Sequence, residues 1–274
     1  MIRILCRLLR PRLSVLNGIA ALGGGMLFPG EPAPWPLAAS LCGVTLLAAG
    51  GSAINQVQER EIDRLMVRTR LRPLPRGDLA PLAASVIGVG CILAGLTVLA
   101  AAGGILPSLL GAAALVWYLG VYTPLKRRTT LALAVGALCG AFPPVIGWVV
   151  AGGAPGDFRV VLLGGLLYLW QVPHFWLFQR KHADDYRRAG IMQFGSGTAG
   201  AASAVLCRLW IAALSAAAML LPAFGILERR TPLVLAPFFL LLLAACPGRF
   251  EPVLFRCLNL LPFVVVGAIF MQKG

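Results

Sequence analysis

Long runs without any Asp, Glu, Lys or Arg alternate along this chain with short polar clusters. The charge-free runs cover 13–30, 32–58, 79–125, 129–156, 160–179, 209–227, 231–248 and 257–272. A helix that crosses a bilayer needs about 20 mostly apolar residues. Gly103-Gly104 and Pro107 divide the longest run, which therefore reads as two helices. The pattern predicts an all-α polytopic bundle of about nine transmembrane helices. They fall at roughly 13–29, 34–57, 79–102, 105–122, 131–151, 160–179, 204–224, 232–247 and 254–271. All 274 residues are expected to form a single transmembrane domain. Phe142-Pro143-Pro144 should kink or break the fifth helix, since proline lacks the amide donor. Gly136 and Gly140 make a small-xxx-small step suited to close helix contact.

Composition agrees with lipid as the surrounding medium: 59% of residues are hydrophobic and only 12% are charged. The net charge of +14 would suggest nucleic acid in a soluble chain, but its distribution suggests orientation instead. With the N-terminus inside, all of the 24 Lys and Arg lie on the inner side except Arg159, Arg229, Arg230 and Lys273. Such a bias predicts N-in, C-out, and places the polar loops in the cytoplasm of a bacterial-type cytoplasmic (inner) membrane. The basic, apolar N-terminal segment has some features of a signal peptide. The late Arg10-Pro11-Arg12 cluster and an apolar stretch running to Phe28 favour a retained span. The seven cysteines contain no CxxC pair and read as packing residues.

Two inner loops, 59–78 and 180–203, carry most of the remaining polarity, and each follows a span. Polar segments at matching places in two parts of a bundle point to a site between them. In the first, Asn55, Glu59 and Asp63 follow an i, i+4, i+8 spacing that aligns them on one helix face. One amide and two carboxylates offer hard oxygen ligands of the kind magnesium shares with substrate phosphates. A bland alternative is a solvated helix end with Glu59 paired to Arg60 or Arg64. Beyond it, Arg68, Arg70, Arg72 and Arg76 crowd the carboxylates, and arginine forks suit phosphate.

The string from Asn55 to Pro75, N-x-x-x-E-x-x-x-D-x-x-M-x-R-T-x-x-R-P-L-P, resembles the first acidic motif of the UbiA-type intramembrane prenyltransferases. Met66, Arg68-Thr69 and Arg72-Pro73-Leu74 narrow the likeness to the protohaem IX farnesyltransferase (haem O synthase) branch. Tyr122-Thr123-Pro124-Leu125-Lys126-Arg127-Arg128-Thr129, Gly140-Ala141-Phe142-Pro143-Pro144 and Trp170-Gln171-Val172-Pro173-His174-Phe175 resemble the same branch. So does Asp185-Tyr186 with Ala189-Gly190, although the family's proline after the Ile191 position is absent here. The second D-x-x-x-D spacing of the superfamily is also missing.

The resemblance implies transfer of a farnesyl group from farnesyl diphosphate to a vinyl group of haem B, giving haem O. It implies Mg2+ held by Asn55, Glu59, Asp63 and Asp185, which with Lys126 form the expected catalytic set. Arg68, Arg72, Tyr122, Arg127, His174, Asp184 and Tyr186 are expected to bind substrate. His174 is open to three roles: contact with porphyrin iron, proton transfer, or a hydrogen bond to a neighbouring helix. Asp184 and Asp185 point to different helix faces, so one can face metal while the other faces water. Beyond haem B, farnesyl diphosphate and the lipid bilayer, the resemblance admits haem A synthase or terminal-oxidase assembly proteins as partners, and no nucleic acid. Another aromatic or tetrapyrrole acceptor is the competing enzymatic reading. A proton-coupled carrier fits less well, because charge is nearly absent from mid-membrane positions.

Overall fold

The computed structural model describes residues 1–30, 33–193, 200–228, 236–237, 239–240 and 251–273. The elements are α1 (Ile2–Leu9), α2 (Pro11–Met26), α3 (Pro34–Gln58), α4 (Arg60–Leu65), α5 (Pro73–Arg76) and α6 (Pro81–Gly103). There follow α7 (Ile105–Leu125), α8 (Ala132–Val150), α9 (Phe158–Lys181), α10 (Ala183–Arg188), α11 (Gly200–Ala223) and α12 (Glu251–Lys273). Among the described residues seven helices are long and apolar enough to cross a membrane: α3, α6, α7, α8, α9, α11 and α12. The chain is an integral multi-pass membrane protein. At 16 residues, α2 is shorter than the span expected over 13–29. Apart from 236–237 and 239–240, the span expected over 232–247 lies outside the described residues.

Small residues let the N-terminal helices approach backbone to backbone. A Cβ on Gly147 would overlap the Ala21 carbonyl oxygen, and one on Gly24 would overlap that of Pro144, so α2 and α8 touch directly. Dispersion between such close surfaces is what holds helices together where lipid is as apolar as the side chains. One apolar core joins α2, α3, α6 and α8 through Ala21, Val44, Leu47, Leu99 and Ile146. A second joins α9, α11 and α12 through Leu163, Leu166, Ile211, Leu214 and Leu258.

Three irregularities shape the space between these cores. Helix α3 stops at Gln58, and Glu59 (φ −102°, ψ 10°) hinges it to α4. The backbone bonding nonetheless carries across: Glu59 N donates to Asn55 O at 2.9 Å and Asp63 N to Glu59 O at 2.8 Å. The expected i, i+4, i+8 face therefore survives the hinge. In α7, Trp117–Tyr122 adopt a π turn, a widening common at functional sites. In α8, a 3₁₀ turn at Leu138–Gly140 precedes a restart at Phe142. Pro143 falls in that restarted first turn, where a missing N–H costs nothing. The expected break is thus accommodated as two stacked segments.

Candidate active site

A cavity of about 390 Å³ opens between the two cores, lined from α2, α3, α7, α8 and α9 and from the 59–72 loop. Its deep walls are apolar, with Val44, Leu47, Leu115, Phe142 and Ile146. Its polar end gathers residues far apart in sequence. Asn55 (4% exposed), Glu59 (8%) and Asp63 (1%) stand in line there, buried deeply enough to forfeit most of their hydration.

Each carboxylate meets a cation. Lys126 Nζ lies 2.7 Å from Glu59 Oε1, and Arg72 pairs with Asp63 Oδ2. Arg60 and Arg64, the alternative partners for Glu59, pair with Glu61 at the surface instead. Asn55 Nδ2 donates to Thr123 Oγ1 at 3.1 Å, and that hydroxyl donates to Tyr118 O at 2.9 Å. The direction of this relay fixes the amide orientation and leaves Asn55 Oδ1 without a protein donor among the described residues. Burial raises Asp63 above the ordinary carboxylate range, against the opposing pull of Arg72.

Two tyrosines follow the π turn into the cavity. Tyr118 and Tyr122 stack at 6.1 Å between centroids, and Lys126 Nζ lies 5.0 Å from the Tyr122 ring centre. Tyr186 also lines the cavity, supported by Ile62, Met66 and Ile191. Arg68 reaches in with its guanidinium over the Phe178 ring at 5.1 Å. At the α9 wall, His174 is stacked between Trp170 (4.9 Å) and Phe255 (5.3 Å). It hydrogen-bonds Asn259 of α12, the third of the roles open to it, while its Nδ1 stays buried and unpartnered. The Gln171 Oε1 beside it is likewise unpartnered.

Three expected residues are not brought into this lining. Arg127 is exposed, and Asp184 is exposed and paired with Arg187 at 3.2 Å. Asp185 is buried, but it faces the 66–68 turn rather than the cavity. Its Oδ1 accepts from Val67 N (2.9 Å), its Oδ2 from Arg68 N (3.1 Å), and Arg188 adds a contact at 2.9 Å. The expected fourth oxygen ligand is therefore engaged in holding the loop that carries Arg68 and Arg72. Burial alone would raise Asp185; the amide bonds from Arg68 and Val67, with Arg188, outweigh it and hold the carboxylate below its usual range.

The structure also supplies lining residues that sequence reasoning passed over: Arg10, Tyr118, Cys139 and Gln171. Gln171 stood inside a quoted string, and its mid-helix position among apolar neighbours was the available signal. Arg10 was hidden among anchoring arginines.

The donor set suits magnesium. An amide oxygen and two carboxylates are hard ligands at the polar cavity end, and among the described residues no three His, Cys, Asp or Glu converge into an all-protein cage. Magnesium prefers that arrangement, because it keeps waters and takes its remaining ligands from substrate phosphates.

Residues 17–250 match the family described as UbiA prenyltransferase family. The protoheme IX farnesyltransferase of Geobacter sulfurreducens is 58% identical over 265 residues, covering 97% of each chain. That of Nitratidesulfovibrio vulgaris is 40% identical over 81% of this chain and 77% of its own. In fold, the chain is similar to the apo structure of a UbiA homolog from Aeropyrum pernix K1 (TM-score 0.78, 18% identity, 96% and 98% covered). It is also similar to a UbiA homolog from Archaeoglobus fulgidus bound to DMAPP and Mg2+ (TM-score 0.72, 14% identity, 97% and 98% covered).

Proposed function

This chain belongs to the UbiA prenyltransferase family, and from that premise we propose that it works as a protohaem IX farnesyltransferase. It takes the farnesyl group of farnesyl diphosphate, joins it to a vinyl group of haem B, and so makes haem O. The observation that carries the reading is the cavity itself: an apolar chamber closed at its polar end by Asn55, Glu59 and Asp63 and by cations. Such a shape suits a greasy chain with a diphosphate head.

The residues divide the work. The apolar walls take the isoprenoid tail and exclude water from the reacting carbon. Asn55 Oδ1 and the two carboxylates would hold magnesium, which when bound supplies charge neutralisation to the diphosphate. Lys126 and Arg72, now resting on Glu59 and Asp63, are placed to follow the negative charge onto the leaving diphosphate. As the C1–O bond breaks, pyrophosphate departs with the electron pair and an allylic cation remains. The stacked faces of Tyr118 and Tyr122 offer that cation an electron-rich wall. The vinyl π electrons form the new C–C bond; water then adds to the resulting carbocation and loses a proton, leaving a hydroxyethylfarnesyl group.

The inner-side bias of Lys and Arg supports an N-in orientation with this polar end in the cytoplasm. His174 and Gln171, on the wall beside the cavity, are proposed to meet the acceptor. Asp185 is proposed to serve the site through the loop it holds. Haem A synthase or oxidase-assembly proteins are the proposed takers of the product.

The test is product mass. Purified protein with farnesyl diphosphate, Mg2+ and haem B should yield haem O, and Asp63→Asn should abolish it. Prenylation of a hydroxybenzoate or naphthoate in place of haem would overturn the acceptor assignment.

A further inference from the structure

Among the described residues six charged side chains line the cavity: Glu59, Asp63, Arg10, Arg68, Arg72 and Lys126. Lys126 and Arg72 are taken by the two carboxylates, and Arg68 rests on Phe178. Arg10 is different. Among the described residues its side chain has no ion pair and no hydrogen bond, although it is partly buried. A guanidinium withdrawn from water without an acceptor is costly to keep. Its neighbours Arg7 and Arg12 are exposed, as interfacial anchors should be.

The backbone at Arg10 is equally unusual. Its φ of 46° and ψ of 62° are left-handed, the one positive φ outside glycine among the described residues, and it stands directly before Pro11. Both facts disfavour the conformation. Surroundings enforce it. Gln56, fully buried within the Asn55–Asp63 segment, donates from Nε2 to Leu8 O (2.7 Å) and Arg7 O (3.3 Å). Arg10 N donates to Cys6 O, Ser14 N to Arg10 O, and Ser14 Oγ to Leu9 O. The same segment that presents the carboxylates thus fixes the turn that aims Arg10 at them. Strain held this way clusters at functional positions.

We propose that Arg10 binds the diphosphate of the prenyl donor, entering the cavity from the junction of α1 and α2. The proposal rests on the prenyltransferase reading above. Four cations against two carboxylates leave two positive charges unbalanced, and an anionic head group is what balances them. Burial, then the field of Arg72, lowers Arg10 to about 10, so it remains a cation at neutral pH.

Arg10→Gly separates side chain from backbone, because glycine adopts the left-handed turn freely. Binding of magnesium pyrophosphate to the detergent-solubilised protein should weaken about ten- to a hundred-fold, the loss of a charge-assisted hydrogen bond. KM for farnesyl diphosphate should rise with it, KM for haem should hold, and the unfolding temperature should stay level or rise. Arg10→Lys should recover part of the pyrophosphate affinity, and Arg12→Gln should change none of these. Unaltered pyrophosphate binding in a folded Arg10→Gly protein would overturn the proposal. So would a rise confined to the KM for haem, which would assign Arg10 to a propionate. Should the wild type prenylate another acceptor, the function proposed above fails while the pyrophosphate measurement still decides Arg10.

Discussion

Replacing Asp185 with Asn distinguishes two jobs that one carboxylate can have. In the structure its oxygens accept from Val67 N and Arg68 N at 2.9 and 3.1 Å. Asn keeps one acceptor and turns an NH₂ donor toward the other amide. One charge-assisted bond disappears and a partly buried N–H is left unpaired, which together cost about 2–4 kcal/mol. The Arg188 contact adds little, since that guanidinium is half exposed. The loss should appear in the ligand-free protein, measured as thermal or denaturant unfolding in detergent without magnesium. Its pH dependence has a definite sign. A carboxylate held below its ordinary value stabilises the fold fully above 3.8 and loses that contribution as pH falls through its folded value. The gap between wild type and variant should therefore hold near neutrality and close only below that value. Unchanged ligand-free stability, together with a selectively raised magnesium requirement, would refute this reasoning and restore Asp185 as a metal ligand.

Lys126→Met strands a buried Glu59 and removes a cation from the leaving group, so kcat should fall about 10²–10³-fold, read from initial rates of haem O formation. Because burial raises Asp63 in the metal-free site, magnesium affinity should weaken as pH falls, starting above the ordinary carboxylate range, checked by magnesium titrations at a series of pH values. Gly147→Val forces a side chain into the Ala21 carbonyl; it should destabilise by about 1–3 kcal/mol or more, seen as lost folded protein on size exclusion.

The helices were legible because lipid demands long charge-free runs, and the observed ends of α3, α6 and α9 fall within a few residues of the expected ones. The alignment of Asn55, Glu59 and Asp63 was legible for a different reason: a spacing of four survives in local bonding even across the Glu59 hinge. Direction was harder to read. Asp185 shares the composition of a ligand, but whether it faces the cavity or the 66–68 turn depends on how two loops 118 residues apart pack together. Arg10 was obscured because an arginine beside a first span already has an adequate explanation as an anchor. Its place in the cavity lining and the left-handed turn, set by Gln56 from another helix, set it apart.

The π turn at Trp117–Tyr122 has a consequence of its own. It amounts to one residue more than the helix needs to close its hydrogen bonds. Deleting that surplus, most simply Gly120, whose surroundings are open, would let α7 run as ordinary α-helix. The wider turn takes up that residue locally, so the helix downstream would keep its bearing after the deletion. Thr123 would stay at Asn55 and Lys126 at Glu59, so the change would be confined to the turn itself and to the stacking of Tyr118 on Tyr122. Here one extra residue in the winding of a helix shapes the aromatic wall while the polar end keeps its aim.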